Sequence, residues 1–333
     1  MNLSKLLWEE AAKPTKKALP LLSFPAVQKM DVTVRELVTS ADLQAKAMET
    51  VAKEVPSLAA VTLMDLSVEA EAFGAKVRFS ENEVPTIVGA LISDEDEADA
   101  LEIPAIGAGR TGLCLEAVKK AKKVICDRPV LAGVIGPYSL AGRLLDVTEI
   151  LYLCYDEPEL VHKVLSKVTD FLISYIRAFM EAGVDGVVLA EPLAGLLSPD
   201  LFTEFSVPYV THIIKAVQTE KFAVIYHNCG SAVPHLTDGI FSQGATAYHF
   251  GNAVDMRDIL DKAPETCLCM GNIDPAGEFT QGTADSMKAA VLSLMESCGK
   301  NRNFLPSSGC DIPPKASWDN IHTFFDTLSA WEG

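Results

Sequence analysis

EPELVHKVLSKVTDFLISYIRAFMEAGVDGVVLAE, residues 157–191, decides the fold class, because it holds the unit that the rest of the chain repeats. Across residues 157–182 the apolar side chains Leu160, Val164, Val168, Phe171 and Leu172 recur at three- and four-residue steps, the period of one helix face. Residues 186–190 then form a short apolar, β-branched run that reads as a strand. Strands that alternate with helices imply parallel pairing.

Outward from this unit, similar runs lie near residues 19–24, 58–63, 130–135, 223–227, 246–250, 267–271 and 303–307, each followed by a helical stretch. Eight such units in about 310 residues suit a closed barrel, and no strand leads into the glycine-rich loop of an open dinucleotide-binding sheet. The expected fold is therefore α/β, a (β/α)8 TIM barrel, with helical additions before Leu19 and around residues 34–55. No linker, repeat or low-complexity segment divides the chain, so residues 1–333 read as one domain. The acidic run 94–99 reads as an exposed helix start, and residues 119–123 as a solvated helix face.

Composition narrows the class of protein. No apolar stretch approaches the roughly 20 residues that span a bilayer. The opening residues lack the apolar block of a secretory signal, so the expected location is the cytoplasm. A net charge of -17 repels a phosphate backbone and disfavours nucleic acid. The eight cysteines, at 114, 126, 154, 229, 267, 269, 298 and 310, are scattered through a large chain without a signal. That pattern suits thiols and thiolate ligands better than disulfides.

Barrel active sites are built at the C-terminal ends of the strands. Those positions carry Asp65, Tyr138, Glu191, His227 with Cys229, His249 with Asn252, Asn272 with Asp274, and Ser307, Ser308 and Cys310. Strand interiors are almost wholly apolar, so this bias indicates a polar cavity at one end. His227 and Cys229 are two apart and point the same way along a strand. With Cys310 from another strand end they make three N/S donors, which leaves one tetrahedral position open, the pattern of a catalytic zinc. The competing reading is a core histidine and small buried thiols. Cys267 and Cys269 form a rival pair, but mid-strand, where they read as barrel filling. Glu191, before Pro192, suits a displaceable fourth ligand, a proton acceptor for a thiol, or a loop anchor. Asp65 admits both a catalytic and a structural reading.

These residues resemble the uroporphyrinogen decarboxylase superfamily, and within it the methylcobamide:coenzyme M methyltransferases. The likeness is carried by Met64-Asp65-Leu-Ser-Val-Glu-Ala-Glu-Ala-Phe-Gly74, Gly136-Pro137-Tyr138-Ser-Leu-Ala141, Ala190-Glu191-Pro192, and Phe202-Thr-Glu-Phe205-Ser-Val-Pro208-Tyr209. Further along come His227-Asn-Cys229-Gly230, Gly271-Asn272-Ile-Asp274-Pro275 and Ser308-Gly309-Cys310-Asp311-Ile-Pro313. In the methyltransferase branch, His-x-Cys and a distant Cys hold zinc. The resemblance therefore implies zinc on His227, Cys229 and Cys310. The decarboxylases carry an arginine-rich N-terminal segment, whereas residues 20–27 here read PLLSFPAV. The zinc pattern is also similar to that of cobalamin-independent methionine synthase.

The resemblance implies a zinc-dependent methyltransferase that moves a methyl group from a methylcorrinoid, presented by a corrinoid protein, to a small thiol such as coenzyme M. Glu191 and Asp65 are the candidate catalytic residues. Tyr138, His249, Asn272, Asp274 and Ser308 are the candidate substrate contacts. The alternatives are a tetrapyrrole carboxy-lyase of the decarboxylase type and a non-catalytic corrinoid- or metal-binding protein.

Overall fold

A computed structural model describes residues 2–332 of the chain. Its centre is a curled sheet of seven parallel strands, β1 (Ala60–Val61), β4 (Val130–Ile135), β5 (Gly186–Ala190), β6 (Ala223–Asn228), β7 (Ala247–Phe250), β8 (Cys269–Ile273) and β9 (Phe304–Ser308), in that spatial order. Two short strands, β2 (Val77–Arg78) and β3 (Thr86–Ile87), make a separate antiparallel ribbon that the sequence reading did not anticipate. The long helix expected over 157–182 is Pro158–Glu181. It packs Leu160, Val164, Val168, Phe171 and Leu172 inward as the periodicity requires.

Seven of the eight expected strands are present, with shifts of up to two residues. The eighth, near 19–24, is not a strand. Residues 18–23 instead run between the two edges of the sheet: Leu19 N–H donates to Pro306 O at 3.2 Å, and Leu58 N–H donates to Ala18 O at 2.9 Å. Pro20 has no N–H to give to a ladder. Leu21 N–H donates to the Ser308 hydroxyl at 3.1 Å rather than to a backbone carbonyl. A regular ladder is thus replaced by alternating backbone and side-chain bonds.

The helical additions are Leu3–Ala11, Ala26–Met30, Val34–Val38 and Ala41–Glu54. The stretch expected as one helix around 34–55 breaks at Thr39, and Ser40 caps the second piece by accepting from Leu43 N–H. The acidic run becomes the helix Glu95–Ala100, capped by Asp94.

Strand side chains alternate between two buried layers. Tyr226, Tyr248, Phe250 and Phe304 join the layer packed under the helices. Ala223 and Ile225 of β6, Ala247 of β7, Met270 of β8 and Leu305 of β9 face the concave side. Leu3, Leu7 and Ala11 of the first helix share that inner cluster and fill its lower end. Two residues further along the same strands, the inner face passes from apolar to polar at His227, His249, Asn272 and Ser307. Among the described residues, no helix is long and apolar enough to cross a membrane.

Candidate metal centre

The polar end of the inner face brings together the three donors expected from the sequence. One ligand atom each from His227, Cys229 and Cys310 lies within 4.8 Å of the other two, and His227 Nε2 is 3.6 Å from Cys310 Sγ. β6 supplies His227 as the inward residue after Ala223 and Ile225. The chain then turns: Asn228 Oδ1 accepts from Gly230 N–H at 2.9 Å, and its amide donates to Tyr226 Oη at 3.0 Å, which fixes the bend carrying Cys229. The loop after β7 presses against that bend. A Cβ on Gly251 would lie 2.5 Å from Cys229 Cβ, closer than packing allows, so only glycine permits the approach. Cys310 follows β9 by two residues, and Gly309 N–H donates to Ile273 O at 2.6 Å.

Electrostatically, the two thiols behave as one acid. Cys310 donates to Cys229 and thereby lowers the Cys229 pKa, while that shared bond, reinforced by burial, pushes Cys310 up to about 12. The two sulfurs thus share a hydrogen bond beside a histidine. A soft cation fits this donor set, two sulfurs and one imidazole nitrogen, and would displace the thiol protons. Cys267 and Cys269 lie outside the cluster, and burial raises the pKa of both.

His249, in register with His227 on the neighbouring strand, places Nδ1 at 2.8 Å from His227 Nδ1 and Nε2 at 2.7 Å from Ser307 Oγ. Burial, and then the neighbouring His227, hold its pKa well below the usual range, so it is neutral. Glu191 is fully buried beside β6, with its N–H donating to His227 O at 2.8 Å. Its Oε1 accepts from Ser139 N–H at 3.2 Å, and Oε2 has no partner. Burial pushes its pKa up to about 8, against the pull of the Ser139 and Tyr138 backbone. A Cβ on Gly136 would sit 1.9 Å from Oε1, so the carboxyl occupies the space that this glycine leaves.

The other expected site residues have structural partners. Both Asp65 oxygens are engaged: Oδ2 by Arg110, and Oδ1 by the Ser67 hydroxyl at 2.6 Å and its N–H at 3.1 Å. Tyr138 turns its hydroxyl toward Cys154 Sγ at 3.5 Å. Asn272 donates to Gly251 O and Val254 O, and Asp274 accepts from the N–H groups of Ala276 and Gly277. Ser308 accepts from Leu21.

Sequence reading gave Glu69 and Asp311 no role, and took Arg110 and Arg143 as anion contacts or solvated surface residues; all four lie near this end. Arg110 joins Asp65 to Glu71, its Nε donating to Glu71 at 2.6 Å. Burial opposes its charge, but Asp65 and Glu71 overcome this and raise its pKa. Glu69, four residues after Asp65, accepts from Ile135 N–H at 3.1 Å and is pushed up to about 7 by burial. Arg143 and Asp311 complete the set. The pKa of Arg143 is lowered by burial, and that of Asp311 is raised by burial and by Cys310.

Known proteins place this geometry in a family. Over 236 residues the chain is 25% identical to the methylcobamide:CoM methyltransferase MtbA of Methanosarcina acetivorans, covering 70% of this chain and 69% of that protein. Over 320 residues it is 23% identical to the uroporphyrinogen decarboxylase of Hydrogenovibrio crunogenus, covering 93% and 89%. A methyltransferase from Methanosarcina mazei shares the fold with a TM-score of 0.88 at 21% identity, over 100% of this chain and 98% of that one. The sequence profile for uroporphyrinogen decarboxylase (URO-D) matches residues 21–331, and the chain belongs to that family.

Proposed function

We propose that this protein is a zinc-dependent methyltransferase that transfers a methyl group from a methylated corrinoid, presented by a corrinoid protein, to a small thiol such as coenzyme M. The convergence of His227, Cys229 and Cys310 within 4.8 Å carries the reading. The likeness to MtbA supports the choice of donor and acceptor class. On this reading the curled sheet closes into an eight-membered barrel through residues 18–23, which bond to both of its edges. Eight free cysteines support a reducing, cytoplasmic setting.

His227, Cys229 and Cys310 would hold the ion. The chemistry it supplies when bound is deprotonation of the substrate thiol, which otherwise has a pKa of about 8.5 and is mostly protonated at neutral pH. We assign the displaced proton to Glu191, whose Oε2 is buried without a partner next to β6 and which accepts it in its ionised form, the form that grows in as pH rises through its pKa of about 8. In the transfer itself, the sulfur forms a bond to the methyl carbon as the cobalt–carbon bond breaks, and the electron pair stays on the corrinoid as Co(I). Asp65 acts through Arg110, as the anchor of the segment after β1, rather than on the reacting atoms. Val88, Ile103, Val147, Tyr152, Tyr155 and Leu196 are exposed large apolar side chains on the connections that link β1 to β4, β4 to β5 and β5 to β6. A partner that delivers a macrocycle to this end would cover them.

The carboxy-lyase reading draws on decarboxylase relatives that match over more of the chain. Against it stands segment 20–27, which has no arginine and packs Leu21, Leu22, Phe24 and Ala26 into the core. A non-catalytic metal-binding protein would hold zinc without activating a thiol. The test is metal analysis combined with demethylation of methylcobalamin by 2-mercaptoethanesulfonate or homocysteine, with and without corrinoid proteins, followed by cob(I)alamin absorbance. Zinc-dependent transfer to one thiol is expected. Decarboxylation of a tetrapyrrole carboxylate by metal-free protein, without any methyl transfer, would replace this reading.

A further inference from the structure

The histidine of the three-donor cluster also belongs to a line of hydrogen bonds that runs away from it across the sheet, and that line has a direction. Leu19 O is a backbone carbonyl and can only accept. Ser307 Oγ lies 2.7 Å from it and donates its single proton there. The same oxygen is then left to accept from His249 Nε2, 2.7 Å away, so Nε2 carries the proton. A neutral imidazole protonated at Nε2 has a bare Nδ1, and His249 Nδ1 faces His227 Nδ1 at 2.8 Å. His227 therefore donates from Nδ1. Its Nε2 keeps the lone pair, and Nε2 is the atom 3.6 Å from Cys310 Sγ.

The opposite polarity can be drawn, with the hydroxyl donating to His249, His249 to His227, and His227 Nε2–H to the Cys310 sulfur. It strands Leu19 O, which among the described residues has no other donor, in a place where water does not replace it. A buried acceptor left without its bond is the costlier arrangement. His227, His249 and Ser307 are 2%, 0% and 0% exposed, so the whole line is out of solvent. It crosses β6, β7 and β9 and ends on the segment before β1, all rigid parts of the fold.

We propose that Ser307 and His249 are positioning residues for the metal, which together with the Leu19 carbonyl hold His227 in the tautomer whose Nε2 can ligate before any ion arrives. The proposal rests on the zinc reading above. Ligand histidines commonly donate their second N–H to a fixed acceptor, and loss of that acceptor weakens metal binding by about 10–100-fold. Here the acceptor is itself a histidine, and its own polarity is set by a hydroxyl and a carbonyl.

Zinc affinity would be measured by competition with a fluorescent chelator for wild type, Ser307→Ala, Ser307→Thr, His249→Leu and His249→Gln. Thermal melts of the metal-free forms would check folding. Ser307→Ala and His249→Leu should bind zinc about 10–100-fold more weakly, while Ser307→Thr and His249→Gln, which keep a donor and an acceptor in line, stay within about threefold of wild type. Nitrogen-15 NMR of the metal-free wild type should show His227 protonated at Nδ1, a readout that a purely structural role would not produce. Protonation at Nε2, or wild-type affinity in both disruptive variants while wild type binds zinc, overturns the proposal and leaves the zinc reading standing. Wild type that binds no zinc overturns both.

Discussion

Arg110→Met tests whether Asp65 is an anchor or a reacting group. The guanidinium is 8% exposed and its partners Asp65 and Glu71 are 4% and 23% exposed. Removing one member of a buried ion pair costs about 3–5 kcal/mol, because the remaining charge is uncompensated. Glu71 can turn toward solvent and Asp65 keeps two bonds from Ser67, so the low end applies, about 3 kcal/mol. For 333 residues the unfolding entropy is about 0.7 kcal/mol per kelvin, so the midpoint should fall by about 4 °C. Adding Asp65→Asn to Arg110→Met should recover at least half of that loss. The assay is calorimetry, together with zinc-dependent methyl transfer. A single variant as stable as wild type, or a double variant no better than the single one, refutes the anchoring role. A double variant that folds well but loses transfer more than about 100-fold, the scale of a lost acid–base group, returns Asp65 to the chemistry.

His227→Ala, Cys229→Ser and Cys310→Ser should each lose most of their zinc, whereas Cys267→Ser and Cys269→Ser keep a full equivalent; the reverse pattern in metal analysis reassigns the ligands. Glu191→Gln should retain zinc and lower turnover by about 100-fold or more. Unchanged kinetics would make Glu191 a loop anchor, and lost zinc would make it a ligand. Glu69 has a folded pKa of about 7, above its unfolded value, so its contribution is fully present at low pH and is lost as pH rises through 7. Glu69→Gln should therefore flatten the fall in melting temperature between about pH 5 and pH 8, and a parallel fall in variant and wild type would show that Glu69 does not titrate there. Lys16→Met removes a buried ammonium that donates to Ala11 O at 2.6 Å, Asn301 O at 2.5 Å and Phe304 O at 3.1 Å. The three carbonyls it leaves unpaired should cost about 2–4 kcal/mol by chemical denaturation, and a loss under 1 kcal/mol would mean that water takes its place.

The strand pattern was legible in the sequence because each buried strand is a continuous apolar run, and a run of that kind survives a shift of one or two residues. Residues 19–24 misled for the same reason. They are apolar and lie at the barrel position where a strand belongs, but Pro20 breaks the ladder, and the bonds to β9 and β1 come partly from side chains. The cluster of three candidate donors was legible because a two-residue spacing at a strand end survives into space: Ala223, Ile225 and His227 share one face. The fate of Tyr138, Asn272, Asp274 and Ser308 was not. A strand-end position brings a residue to the rim, but whether its polar atoms face the cavity depends on which loop carbonyl or N–H lies within 3 Å, and that is set by loop geometry with no periodicity to read. Ser307 shows the converse. It is an ordinary serine in sequence, and its direction acquires meaning only from Leu19, 288 residues away.

Under the proposed function, a chain of net charge -17 that holds a metal with two thiols and receives a thiolate must keep its own carboxylates from repelling the incoming anion. The rim does this in two ways. Asp65 and Glu71 share Arg110, which cancels one of their two charges. Glu69, Glu191 and Asp311 have one buried oxygen each unpartnered, and burial raises the pKa of all three, to about 7 for Glu69 and about 8 for Glu191. Exposed charge is concentrated elsewhere, on solvated helix ends such as residues 94–99. The acidity of the protein as a whole therefore says little about the field at its site, and neutral carboxylic acids beside a thiol pair are what a centre needs if its chemistry is to be governed by the ion it binds.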